Sequence, residues 1–280
     1  MQIHVSIEIL YKIKLQVIIS CLLLNTLKCC EMLEGEIKIM INRITGYVRR
    51  CVDDYDMIDD GETVAVGVSG GKDSLTLLCA LAELRRYHPK RFNIHAVTLD
   101  MGITGMDFSP VRELCKELDV PFTMEFSDIF RIVFIERQEK NPCSLCAVMR
   151  RAALCNIVKG FGFNKIALAH HYDDAVETFL LSLLYEGRLH CFLPVTYLNR
   201  TGVTQIRPML YVEEKTIIRF AKEQSLKIVN NPCPANGTSK CEEIKSLIKT
   251  LGIEHRDIKS KLFGAMKRFP LEGWGMANDK

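Results

Sequence analysis

Apolar and polar positions along this chain follow two rhythms that alternate. Ile44, Tyr47, Val48, Cys51, Val52 and Tyr55 recur three and four apart, which predicts a helix with Asn42 as its cap. Residues 63–68, Thr-Val-Ala-Val-Gly-Val, are β-branched and apolar and predict a buried strand. A glycine-containing turn and a helix over 75–87 follow. Residues 92–99 predict the next strand, ending at Asp100. Ser109 is placed to cap a helix with Val111, Leu114, Cys115 and Leu118 on one face. Residues 121–126 and 165–169 predict two further strands, the second leading into a helix through Leu184. From about Glu213 the pattern is mostly helical, including 242–251 and 258–268. Strands alternating with helices predict an α/β fold: an open, mainly parallel sheet flanked by helices, with helical additions at both ends. Ligands of such sheets sit at the carboxyl ends of the strands.

The pattern divides the chain into an amino-terminal extension (1–41), a main domain (42–230) and a helical carboxyl-terminal region (231–280). The extension's longest uncharged apolar run, residues 17–24, is far shorter than the ~20 residues of a membrane span. It lacks a small-residue cleavage site. It reads as an extra helix or strand, a targeting or membrane-surface segment, or residues upstream of a natural start at Met32 or Met40. The composition, 48% hydrophobic and 25% charged over 280 residues, excludes disordered, collagen-like and disulfide-dense classes. The net charge of +3 permits a nucleic-acid partner without arguing for one.

The strongest local signal is Ser69-Gly70-Gly71-Lys72-Asp73-Ser74, between a strand and a helix. Two glycines let the backbone fold its N–H groups around an anion, and the helix N-terminus adds partial positive charge. Ser69 and Ser74 add hydroxyls and Lys72 a point charge. Asp73 suits a phosphate cradle when Mg²⁺ neutralises it or when it helps place the nucleotide. The spacing is not that of a Walker loop. This hexapeptide after a strand resembles the PP-loop of the ATP pyrophosphatases, which implies ATP held by its pyrophosphate and an adenylated substrate.

Twelve cysteines are many for a chain with an adequate core. Cys143 and Cys146 form a Cys-x-x-Cys behind Pro142, expected in a turn presenting both sulfurs. A redox pair, half of a zinc site and part of an iron–sulfur site all fit that spacing. Cys233 lies between two prolines. With Cys143 and Cys146 it can hold three irons of a 4Fe-4S cubane and leave the fourth open. Cys241, expected to begin a helix, is the rival third ligand. Cys51, Cys79, Cys115, Cys155 and Cys191 fall in apolar contexts and are expected as core residues.

A wider resemblance joins these pieces. The order is the PP-loop, Cys-Ser-Leu-Cys with Arg150-Arg151, Ala169-His170-His171-Tyr172-Asp173-Asp174 with Glu177-Thr178, then a late cysteine. The run Ile206 to Leu210 with Glu214-Lys215 belongs to it too. This is similar to the tRNA 2-thiocytidine synthetases, over about residues 42–268. One departure is the late segment, where a second close cysteine pair is replaced by Cys233-Pro234-Ala235-Asn236-Gly237.

The resemblance implies ATP-dependent thiolation of a tRNA cytidine, with ATP, Mg²⁺ and a 4Fe-4S cluster as cofactors. Ser69 to Ser74 and Asp100 would bind nucleotide, and Cys143, Cys146 and Cys233 would hold the cluster. Catalysis would fall to Cys143, Cys146, Asp174 and Arg150, the last clamping an oxyanion or phosphate. Neither His170 nor His171 is assigned as a base. Expected partners are tRNA and a sulfur donor, a cysteine desulfurase or sulfide, and a homodimer is compatible. No membrane is expected, and an oxygen-sensitive cluster suits the reduced cytoplasm. Basic pairs at Arg49-Arg50, Arg85-Arg86, Arg150-Arg151 and Lys267-Arg268 are offered as a surface tracking RNA phosphates. A same-fold enzyme acting on tRNA uridine or a metabolite, and a non-catalytic nucleotide or iron–sulfur sensor, are the alternatives.

Overall fold

A computed structural model describes residues 27–138, 142–234 and 240–268 with Leu271 and Trp274, with side chains from Ile41 on except Cys241. The readings of the extension that rest on residues 1–26 lie outside these. Strands β1 (Thr63–Gly67), β2 (Asn93–Asp100), β3 (Phe122–Phe126), β4 (Lys165–Ala167), β5 (Val195–Leu198) and β6 (Val203–Ile206) form one sheet, ordered β3-β2-β1-β4-β6-β5. All neighbouring pairs are parallel except the β5–β6 hairpin.

The central strand shows why both faces are covered. Val64 and Val66 point into the larger core, with Leu75 and Leu78 of helix α2 (Lys72–Leu84). Ala65, between them, points into a smaller core with Val97, Val203 and Cys155 and Val158 of helix α4 (Pro142–Gly160). Helix α1 (Leu27–Asp54) runs through Asn42, so that residue does not cap it. Helix α3 (Ser109–Glu117) is preceded by Asp107, whose carboxylate accepts the Ser109 N–H at 2.9 Å and its hydroxyl at 2.8 Å. Ser109 is thus the first residue of α3 and not its cap; the N-cap is Phe108, and Asp107 holds Ser109 from the preceding turn. A six-residue π-helix, Arg131–Glu136, precedes α4.

Helices α5 (Tyr172–Glu186), α6 (Glu214–Glu223), α7 (Lys240–Glu254) and α8 (Ile258–Arg268) complete the described elements. Ile244, Ile248, Phe263, Met266 and Trp274 enter the larger core, and Phe263 stacks on Tyr172 with ring centroids 4.4 Å apart. Among the described residues no helix is long and apolar enough to cross a membrane.

Candidate active site

The chain order reverses between β1 and β4, so the turns after these strands diverge and open a crevice. The loop after β1 is the glycine-rich hexapeptide. Gly70 has φ +82° and Gly71 is the extended N-cap of α2. Ser74 Oγ donates to Gly71 O at 3.0 Å and accepts the Ser69 N–H at 3.1 Å. These bonds close the loop on itself and leave the first N–H groups of α2 available to an anion. Lys72 Nζ lies 3.0 Å from both Asp73 Oδ1 and Glu214 Oε1. Burial pulls the Lys72 ammonium down, but these two carboxylates outweigh it and hold it above its ordinary range.

The turn after β4 meets this loop. His171 caps α5: its Nδ1 accepts the Asp174 N–H at 3.4 Å, and Asp174 Oδ2 accepts the His171 N–H at 2.9 Å. His171 Nε2 then stands 3.8 Å from Asp73 and 3.5 Å from Asp174, between the two turns. Burial raises the Asp174 carboxyl, with His171 opposing. Asp173 points the other way, to the Glu214 N–H at 2.7 Å and to Lys259. Those partners outweigh burial and hold its carboxyl low. His170 packs on Phe192 with centroids 4.8 Å apart, and burial, then Arg207, push its imidazole down to about 3. It is neutral at physiological pH.

Glu177, one turn beyond Asp174, has its carboxyl pushed up to about 7 by burial, against the pull of Lys245 and with Asp174, Asp173 and Glu214 adding to the rise. A raised carboxyl favours the folded state only while it is protonated. Its contribution is present below the ordinary 4.5 and is lost as pH rises through about 7. Glu177→Gln therefore flattens the stability profile. Urea unfolding at about pH 5.5 and about pH 8 is expected to show a drop in the wild type that is smaller in the variant by on the order of 1 kcal/mol after solvent screening. Parallel profiles would remove this assignment.

The cysteines sort into two classes. Cys51, Cys79, Cys115, Cys155 and Cys191 are buried, whereas Cys143 is exposed and Cys146 and Cys233 are half-buried. Burial raises the first five thiols, to about 12 at Cys79 and Cys191. Cys143 and Cys146 stand in the first turn of α4, three residues apart and so on one face. The expected isolated turn is instead a helix start with Pro142 at its first position, where proline costs no hydrogen bond. Cys146 Sγ touches Met101 Sδ at 3.8 Å, directly after Asp100 at the carboxyl end of β2. Burial raises the Cys146 thiol, Arg150 opposes it, and Cys233 and Cys143 act on it as like charges. Among the described residues no three His, Cys, Asp or Glu side chains are already drawn into a metal cage. The donor set nevertheless suits a three-thiolate cluster, because these are the cysteines outside the core among those whose side chains are described. Cys241 falls in the first turn of α7, and its side chain is outside the described set.

The family profile described as the PP-loop domain matches residues 41–242. The tRNA-cytidine(32) 2-sulfurtransferase of Geobacter sulfurreducens is 37% identical over 234 residues, covering 81% of this chain and 90% of that protein. That of Legionella pneumophila is 36% identical over 227 residues, covering 80% of each. This chain belongs to the tRNA-cytidine(32) 2-sulfurtransferase family. The fold is also similar to that of the U34-tRNA thiolase NcsA from Methanococcus maripaludis, solved with its 4Fe-4S cluster. The TM-score is 0.68 at 23% identity, covering 83% of this chain and 79% of that one.

In this member of the sulfurtransferase family, Ser69 to Ser74 follow β1, Asp100 ends β2 next to Met101, which touches Cys146, and Asp174 follows β4, all at the carboxyl end of the sheet; Cys143 and Arg150 flank Cys146 on α4, and Cys233 lies four residues beyond Val229, which bonds Gly70. Asp100 is turned inward, its Oδ1 accepting the Gly102 N–H at 2.9 Å. His171 and Glu214 join the site without having been expected in it. The signal for His171 was the capping pattern before Asp174; Glu214 appears in the sequence only through the family resemblance of Glu214-Lys215, and its pairing with Lys72, 142 residues away, has no local signal. Three of the four basic pairs are engaged elsewhere. Arg49 and Arg50 pair with Asp53 and Asp54, Arg85 donates to Leu118 O and Asp119 O, and Lys267 approaches Asp54. Arg150 and Arg151 remain exposed.

Proposed function

We propose that this chain is an ATP-dependent tRNA sulfurtransferase that turns a cytidine, at position 32 as in its relatives, into 2-thiocytidine. The observation that supports this reading is the phosphate loop after β1 lying at the same end of the sheet as Cys146, which packs on Met101 directly after β2. The Gly70–Gly71 turn and the α2 N-terminus hold the pyrophosphate part of ATP, with Lys72 as counter-charge. To meet the phosphates Lys72 leaves Glu214, so ATP competes with a preformed ion pair. Asp73 would help hold Mg²⁺, which would offset that carboxylate's repulsion of the phosphates.

The cytidine O2 attacks the α-phosphorus and pyrophosphate leaves into the cradle, which converts a poor leaving oxygen into a good one. Hydrosulfide then adds at C2, and AMP departs with the former carbonyl oxygen; a persulfide donor instead attacks through its terminal sulfur, and a thiol then cleaves the S–S bond, leaving the thiocarbonyl and a disulfide. Asp174, whose carboxyl burial raises against the opposing pull of His171, would relay a proton at the adenylated base. Arg150, permanently charged, steadies anionic oxygen beside Cys146. Cys143, Cys146 and Cys233 would hold a 4Fe-4S cluster, which supplies an iron with an open position for sulfur. The exposed Arg150-Arg151 pair, and the exposed Lys249 and Arg256 beside a cavity of about 410 Å³, offer charge to RNA phosphates.

The test is anaerobic incubation of the reconstituted protein with ATP, Mg²⁺, sulfide and unmodified tRNA, followed by mass spectrometry of nucleosides. The expected product is 2-thiocytidine with one AMP and one pyrophosphate each. A 2-thiouridine product, or ATP binding without tRNA-dependent AMP release, would overturn the assignment.

A further inference from the structure

After α6 the chain leaves through Ser225, which sits at φ +49° and closes the helix, with the Leu226 N–H donating to Ala221 O at 2.9 Å. It then runs without regular structure across the phosphate loop to Cys233. Residues on either side of Val229 are exposed, but Val229 itself is 7% exposed. Its N–H donates to Gly70 O at 3.0 Å. Its side chain fills the space a Cβ on Gly70 would need: that atom would lie 2.5 Å from Val229 Cγ2. Between the exposed Lys227–Glu113 ion pair and Cys233, Val229 is the buried anchor of this strap.

The bond has a consequence for the loop. Across a trans peptide the C=O and N–H point in opposite directions. Pinning Gly70 O to the strap therefore aims the Gly71 N–H away from it. That N–H has only a long contact to Ser69 Oγ, at 3.4 Å, and is free to turn to a phosphate. The same strap reaches Cys233 four residues later, a span of at most about 14 Å. There the Cys233 N–H is fixed by Asn231 Oδ1 at 3.1 Å in an Asx turn.

We propose that Val229 is a positioning residue that ties nucleotide occupancy of the phosphate loop to presentation of Cys233. Resting on the reading of the loop as an ATP cradle and of Cys233 as a cluster ligand, this makes the loop and the third thiol two ends of one mechanical element. Anything that moves the Gly70–Gly71 peptide moves the anchor of the Cys233 segment, and by linkage the reverse holds. ATP and a correctly held third thiol favour each other.

The experiment uses the full chain, cluster-free, reduced and anaerobic. The probe is a non-hydrolysable ATP analogue with Mg²⁺, its binding measured by calorimetry. The readout is the alkylation rate of Cys233 against Cys143, followed by peptide mass spectrometry. In the wild type the analogue is expected to change the Cys233 rate about fivefold or more while Cys143 changes little. Val229→Ala keeps the N–H but loosens the anchor, and is expected to weaken analogue binding and shrink that response. Val229→Thr, of similar shape, is expected to restore both. Val229→Pro removes the donor and is read only where circular dichroism shows a native fold, Val229→Ala standing in otherwise. A wild-type Cys233 rate unmoved by bound analogue, or an unchanged response in Val229→Ala, would overturn the coupling. The thiolation assay fails independently: coupling without a thionucleoside product would sink the reaction and leave the strap.

Discussion

Replacing Cys143, Cys146 or Cys233 by Ala is expected to abolish tRNA thiolation, by about a thousandfold or more, while ATP binding survives, weakened only by the roughly fivefold coupling through the strap. The physical reason is the split between the two classes of cysteine. The three thiols are exposed or half-buried, so truncation opens no cavity and the fold is expected to tolerate it. A metal site, by contrast, fails when one of three ligands is removed. The nucleotide loop shares no side-chain contact with these sulfurs and keeps its own hydrogen bonds within residues 69–74. The control is Cys155→Ala. Cys155 lies in the smaller core with Val97 and Val158, so its loss is expected to cost stability and leave iron content intact. The measurement is iron and sulfide content after anaerobic purification, beside calorimetric ATP affinity and a urea melt. Full iron in Cys233→Ala would exclude it as the third ligand and turn attention to Cys241. Iron loss in Cys155→Ala would dissolve the distinction on which the assignment rests.

The parts of this fold legible in the sequence are those with strong local pattern. The run 63–68 is apolar without interruption because β1 is central and buried on both faces, and the glycine loop follows it in register. The β5–β6 hairpin is not legible in this way. Its strands have four residues each and include Thr196, Tyr197, Thr204 and Gln205; β5 is the sheet edge, where neither alternation nor a long apolar run is required, and β6 beside it is too short to carry a pattern. Helix α4 is hidden for a related reason. Pro142 and the tight cysteine spacing suggest a turn, and its burial against the smaller core through Cys155 and Val158 appears only once the sheet is assembled. The candidate site divides the same way. Ser69 to Ser74 carry their chemistry in consecutive residues. The Lys72–Glu214 pair and the Val229–Gly70 bond join residues more than a hundred positions apart, and no local periodicity records them.

Gly70→Ala is expected to remove ATP binding almost completely, and it tests two separable costs. The first is conformational: an L residue at φ +82° occupies the left-handed region at about 1–2 kcal/mol. The second is steric, since the new Cβ would lie 2.5 Å from Val229 Cγ2 and 2.7 Å from its Cβ. Trimming Val229 to Ala leaves the 2.7 Å clash in place, so Gly70→Ala with Val229→Ala is expected to remain defective. Trimming it to Gly removes both atoms. The Gly70→Ala, Val229→Gly pair is therefore expected to recover the steric part, a non-additivity of about 1–3 kcal/mol, and keep the backbone part. Urea melts of the four proteins give the stability cycle, and calorimetry with ATP gives the binding cycle. Strict additivity in both would mean that the strap does not press on the loop. Recovery of stability without recovery of ATP affinity would locate the damage in the Gly71 N–H, whose direction depends on the tilt of the Gly70 peptide.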